Sequence, residues 1–235
     1  MRAEPNPMSI IRLVIVALAT TLLTYCSSSG KPDKEHPIGL QPLGQYDQEQ
    51  LQFIKKELQQ FYNAPIVILD KKEIPASFLN TSKGERYSAD SIIKWLAHTA
   101  PDSVYKVVGI THKDIFTTKW ENGHIKKPEN AYAVWGIFGL GYLPGRSCVV
   151  SDHRLQTSDI SKFHHRLRTV VIHELGHNLG LSHCPSDSCI MNDANESIKT
   201  VDKSADDYCK KCKAWLTHGS SMVPVAFNLR FIRLQ

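Results

Sequence analysis

One eleven-residue string limits what this 235-residue chain can become: His173-Glu174-Leu175-Gly176-His177-Asn178-Leu179-Gly180-Leu181-Ser182-His183, the pattern H-E-x-x-H-x-x-G-x-x-H. It lies in a stretch where Ile160, Phe163, Leu167, Val171, Leu175 and Leu179 recur at steps of three or four, which predicts a helix with one stripe against a core. At about 100° per residue, His173 and His177 stand about 40° apart, one turn above the other and off that stripe, so they can share a metal. Gly180 falls where a left-handed residue ends a helix and turns the chain, which brings His183 back as a third nitrogen ligand. Three neutral imidazoles leave a fourth position open, the ligand set of a catalytic zinc. Glu174 projects about 60° from His177 and can reach a water at that position, which makes it the candidate general base. A nucleoside deaminase would need His-x-Glu, and here His173 and Glu174 are adjacent. The other eight of the 11 histidines, His164 and His165 among them, are read as surface or packing residues.

The six cysteines are too few for a disulfide scaffold at this length, yet four of them cluster directly after His183: Cys184-x4-Cys189, seventeen residues beyond Met191, then Cys209-x2-Cys212. Two close pairs of thiolates suit a closed tetrahedral zinc that contributes to folding. The alternative, in an exported chain, is two disulfides. Lys plus Arg number 28 against 23 Asp plus Glu, a net +5, and the charges are interspersed, so no nucleic acid partner is implied. The run Lys210-Lys211-Cys212-Lys213 reads as a solvated helix end, although it is the basis of a rival reading as a zinc-ribbon interaction protein.

From His173 to Cys212 the chain resembles the archaemetzincins, whose pattern is H-E-x-x-H-x-x-G-x-x-H-C-x4-C-x-M-x17-C-x2-C; every fixed position and spacing matches. The likeness is looser through residues 135–155 and the strand near Ile66, and it fades after about Trp215. Residues 117–130 and 222–235 have no clear counterpart. The resemblance implies a zinc metallopeptidase acting on a peptide or protein, with two zinc ions per chain. It also implies a metzincin-like α/β fold: an upper mixed β-sheet with helices, a small lower subdomain built around the four-cysteine zinc, and a cleft between them. Met191 would lie in the turn beneath the catalytic zinc, and an edge strand within residues 135–142 would pair with extended substrate. An oxyanion stabiliser is left open among Tyr142, His153 and the neighbours of His183, and no residue fixes a side-chain pocket. A catalytically inactive peptide-binding relative is the other reading, against which Glu174 and all three histidines are retained.

Elsewhere the chain reads as one α/β domain. Asp47 caps a helix carrying Leu51, Ile54, Leu58 and Phe61; residues 66–69 form a short strand; Ser88 or Asp90 opens a second helix; residues 105–110, 135–142 and 148–151 form further strands. The polar stretch 117–130 reads as a loop, and Cys148 as a buried, inert thiol. Residues 13–23 are an uncharged apolar run behind Arg12, too short to span a bilayer and suited to a signal-peptide core. With Cys26 following Leu23-Thr24-Tyr25, residues 1–25 resemble a lipoprotein signal, although Tyr25 stands where a small residue is usual; ordinary secretory cleavage is the alternative. The expectation is an exported protein, attached to a membrane through a lipid on Cys26 on the outer face of the cell or in the periplasm. Residues 26–46, rich in proline and glycine, read as a flexible tether, and 47–235 as a single metallopeptidase domain containing the zinc module 184–212.

Overall fold

A computed structural model describes residues 36–193 and 197–218. The expected signal peptide, Cys26, the first part of the tether and residues 219–235 lie outside the described residues. Among the described residues no helix is long and apolar enough to cross a membrane.

In chain order the elements are β1 (Ile38–Pro42), α1 (Gln48–Tyr62), β2 (Ile66–Ile68), β3 (Leu79–Asn80), β4 (Arg86–Ser88), α2 (Ala89–Thr99), β5 (Lys106–Thr111), β6 (Ile115–Thr117), β7 (Trp120–Glu121), β8 (His124–Ile125), α3 (Glu129–Tyr132), β9 (Trp135–Ile137), β10 (Gly139–Gly141), β11 (Ser147–Ser151), α4 (Ile160–Asn178), α5 (Ile198–Val201) and α6 (Lys210–His218). The main sheet runs β10-β11-β5-β1-β2, with β11, β5, β1 and β2 parallel and β10 antiparallel on β11. Alternation along its strands sorts the core into two layers. Val108, Ile110, Cys148 and Val150 face α1 and α4, whereas Val107 and Val149 pack with Ile92, Ile93 and Leu96 of α2. The N-caps foreseen at Asp47 and Ser88 are present: their side chains accept from the backbone N–H of Gln50 and Ser91.

The tether reading fails over residues 38–46. Ile38–Pro42 is wholly buried in the sheet interior, paired with β5 on one side and β2 on the other. Proline and glycine concealed it. A strand flanked on both sides and covered on both faces needs no polar alternation, and its Gln41 is satisfied locally by donating to the Asp70 carbonyl. The loop reading of 117–130 fails in part as well, because β7 and β8 form a hairpin around Asn122 and Gly123, both at positive φ (50° and 82°). The Asn-Gly pair is the usual signal of such a turn, but two-residue strands are too short to show a period. The single strand expected over 135–142 is two: β9 joins the second sheet, ordered β3-β4-β6-β9, and β10 forms an edge of the main one. Ile160 is 60% exposed, so the core stripe of α4 begins only at Phe163.

Candidate metal centre and active-site cleft

The helix α4 starts at Asp159, whose carboxylate accepts from the Lys162 N–H, and buries Phe163, Leu167, Val171 and Leu175 against the sheet. That anchoring sets the rotation of the helix and turns His173 and His177 towards the cleft. Each ring is fixed by its Nδ1–H, which donates to a main-chain carbonyl: His173 to Ile190 at 2.8 Å, His177 to Leu181 at 2.7 Å. The remaining ring atoms are Nε2 acceptors, and these two face each other at 3.0 Å. A proton could bridge them, but burial pulls the pKa of His173 down to about 4 and that of His177 to about 3. At neutral pH two lone pairs therefore point at one spot, an arrangement that a shared cation satisfies.

Gly180, at φ +98°, ends the helix in the left-handed region; a Cβ there would also lie 2.5 Å from the Trp215 ring. The Gly180 and Leu181 N–H groups donate back to His177 and Gly176, and the reversed chain brings in His183. Its ring centre is 5.3 Å from that of His173 and 4.9 Å from that of His177, and the three side chains offer nitrogens within 4.8 Å of one another. Burial lowers the His183 pKa too, so all three rings are neutral and ligand-ready. Asp193, unremarked in the sequence, places a carboxylate oxygen 3.5 Å from His183 Nδ1.

Glu174 lies beside these histidines in the same cleft, of about 590 Å³. The edge strand β10 runs against it so closely that a Cβ on Gly139 would fall 2.6 Å from Glu174 Cγ, and one on Gly141 2.5 Å from its main-chain oxygen. Desolvation raises the Glu174 pKa to about 8, against one hydrogen bond from the Gly141 backbone. Met191 is fully buried, and Gly176 is the residue that admits it: a Cβ there would lie 2.6 Å from Met191 Sδ. Of the three places considered for an oxyanion stabiliser, Tyr142 and His153 do not line the cleft; Asp187 and Asn192, near His183, do.

The four clustered cysteines also converge. Sulfurs of Cys184 and Cys209 are 3.8 Å apart and those of Cys189 and Cys212 3.7 Å, all four lie within 4.8 Å, and none is in a disulfide. Four sulfurs on a tetrahedral zinc, at bonds of about 2.3 Å, would stand about 3.8 Å apart, so the donor set fits that ion. The contacts run between the two sequence pairs rather than within them, unlike the disulfides Cys184–Cys189 and Cys209–Cys212. The backbone of Cys212 hydrogen-bonds the Cys209 sulfur and lowers its pKa, favouring thiolate. Cys148, by contrast, is a buried thiol on β11 with its pKa pushed up by desolvation.

The family model for peptidase family M54 matches residues 50–218. The archaemetzincin of Halobacterium salinarum is 28% identical over 185 residues, covering 75% of this chain and 96% of the relative. That of Methanocaldococcus jannaschii is 33% identical over 183 residues, covering 74% and 89%. Among solved structures, archaemetzincin from Archaeoglobus fulgidus complexed with malonate superposes with a TM-score of 0.61 at 28% identity, covering 75% of this chain and 98% of that one. The archaemetzincin from Methanopyrus kandleri, at 22% identity and a TM-score of 0.64 over 80% and 98%, shares the fold. With a signature that matches at every fixed position and a mixed α/β architecture like that of the solved relatives, the chain belongs to peptidase family M54, the archaemetzincins, and is a zinc metallopeptidase.

Proposed function

We propose that His173, His177 and His183 hold a catalytic zinc, that Cys184, Cys189, Cys209 and Cys212 hold a second, structural one, and that Glu174 is the general base. The observation that carries this is the approach of the two Nε2 atoms to 3.0 Å with both Nδ1–H groups already donated. Zinc bound by three histidines supplies a water of lowered pKa at its open position and polarises a carbonyl. The protein does the rest. Glu174 takes the proton of the attacking water on its carboxylate and returns it to the leaving amine; a pKa lifted by burial to about 8, and held there against the hydrogen bond from the Gly141 backbone, suits a group that must both accept and release near neutral pH. Among the described residues β10 pairs with β11 on one side and ends the sheet on the other, which supports its use in aligning an extended peptide along the cleft. Met191, fully buried against Gly176 between the two histidines in sequence, would hold the floor of the site.

A peptide-library digest with and without chelator tests the reading. The zinc-loaded protein is expected to cleave and to lose activity with chelator, and Glu174→Gln to lower turnover by about 10²–10⁴-fold while keeping both zinc ions. A Glu174→Gln protein that cleaves at the parent rate would overturn the assignment of the base.

We also propose export with lipid attachment at Cys26, on the strength of the apolar run 13–23, the cysteine three residues after Leu23, and the serines behind it. Two or three acyl chains suffice for stable anchoring. When the full-length gene is expressed in a bacterium, the parent should enter the detergent-soluble membrane fraction and Cys26→Ser should leave it or stay unprocessed; equal recovery of both as soluble exported protein would mean that Cys26 is an ordinary residue.

A further inference from the structure

The geometry points to an anionic substrate segment, with Asp or Glu side chains flanking the scissile bond, as the partner of the lysine-lined part of the cleft; this rests on the peptidase reading above. Besides the catalytic group the described residues that line the cleft include four lysines, Lys119, Lys126, Lys199 and Lys203, and among the described residues, apart from Glu174, two acids, Asp187 and Asp193. Both acids are engaged at the metal end: Asp193 stands against His183, and Asp187 accepts from Asn192.

The lysines are held by two elements that both border the cleft. On one wall Lys119 Nζ lies over the Trp135 ring at 5.2 Å and Lys126 Nζ over the Tyr132 ring at 5.3 Å, and those two rings stack on each other with centres 5.2 Å apart. Aromatic faces keep these ammonium groups at the wall, and they flank the β7–β8 hairpin, for which the sequence offered no role. On the other wall Lys199 and Lys203 sit four residues apart, on and just beyond α5, and so share a side. Neither takes part in an ion pair among the described residues. The acid between them does not neutralise them, because Asp202 turns to Arg166 at 2.5 Å and Lys162 at 3.0 Å. Thr169, one of the cleft-lining residues of α4, has a buried hydroxyl with no hydrogen-bond partner among the described residues. A cleft of this charge favours a carboxylate-bearing peptide over a neutral or basic one through both encounter and residence.

The test is a set of peptides with one neutral cleavable core, flanked by Asp, Gln or Lys, assayed with the zinc-loaded protein. The parent should favour Asp over Lys by about tenfold in kcat/KM. The double variant Lys199→Glu, Lys203→Glu, altered at two exposed positions, should abolish or invert that ratio. Lys56→Glu, on the exposed face of α1, should leave it as in the parent, and the same ranking should appear in peptide affinity measured by fluorescence anisotropy on the Glu174→Gln protein. Cleavage with an Asp-to-Lys ratio within about twofold would overturn the charge preference and leave the peptidase reading intact. A shift from Lys56→Glu about half as large as that from the double variant would also overturn it, since net charge alone, changed by two units in one and four in the other, would then be acting. Should no peptide be cleaved, the peptidase reading fails, and the anisotropy ranking still decides whether the cleft selects acidic peptides.

Discussion

At the scale of single residues, a position that the metal-ligand pattern leaves unspecified is tightly constrained by packing. Gly176 is one of the two variable residues between the first two histidines, yet a Cβ there would lie 2.6 Å from Met191 Sδ and 2.7 Å from Tyr208 Oη. Neither neighbour can retreat easily: Met191 is fully buried, and Tyr208 shares hydrogen bonds with Tyr62 and the Ile172 carbonyl. Gly176→Ala should therefore destabilise the zinc-loaded protein by about 1–3 kcal/mol, read from denaturant midpoints at unchanged m, and depress kcat/KM because it pushes the floor away from His173 and His177. An unchanged midpoint would show that the Met191 turn is more compliant than its packing implies. The ligands were legible because helical spacing alone stacks His173 on His177. The need for glycine between them was not, since it depends on a side chain fifteen residues away and a tyrosine thirty-two away.

At the scale of elements, legibility followed length. α1, α2 and α4 are long enough to repeat their apolar period and are legible from it, α1 and α2 together with their N-caps, whereas β1, β7 and β8 are not, because a buried central strand and two-residue strands carry no period to read. β1 also gives the sharpest test. A chain beginning at His36 keeps the whole main sheet and should fold and bind zinc as the parent does. A chain beginning at Asp47 loses the strand between β5 and β2, exposes Ile38's and Leu40's partners, and should be recovered insoluble or without a cooperative transition by circular dichroism. If the shorter chain folded equally well, residues 38–46 would be the tether that their proline and glycine content suggests.

For the whole molecule, the four-cysteine module is not a separate appendage. Cys184, Cys189, Cys212, Met191 and Tyr208 belong to the same buried cluster as Leu167, Val171 and Cys148, so metal chemistry there is coupled to the main core. The histidine site, in contrast, opens into the cleft. Elemental analysis should give two zinc ions per chain, of which a chelator removes one readily. His177→Ala should lose only that labile ion and shift the melting temperature modestly. Cys209→Ser should lose the other and lower the melting temperature of the entire domain, as a breach in a shared core would. A single zinc per chain would refute the two-metal arrangement.

Local geometry encodes the histidine pair and Glu174 on one helix, the turn at Gly180 that returns His183, the cysteine spacing, the three long helices and the family, and all of these can be read from the residues alone. Fixed rise and rotation per residue make such features computable from spacing alone. Only the tertiary structure decided which distant segments meet: that Ile38–Pro42 sits between β5 and β2, that Gly139 and Gly141 of β10 close against Glu174, that Cys184 neighbours Cys209 and Cys189 neighbours Cys212, and that lysines from the hairpin region and from α5 border one cleft. These are pairings between segments 23 to 84 residues apart in the chain, fixed by sheet register and side-chain packing, and no periodicity within a segment reports on the partner it will find.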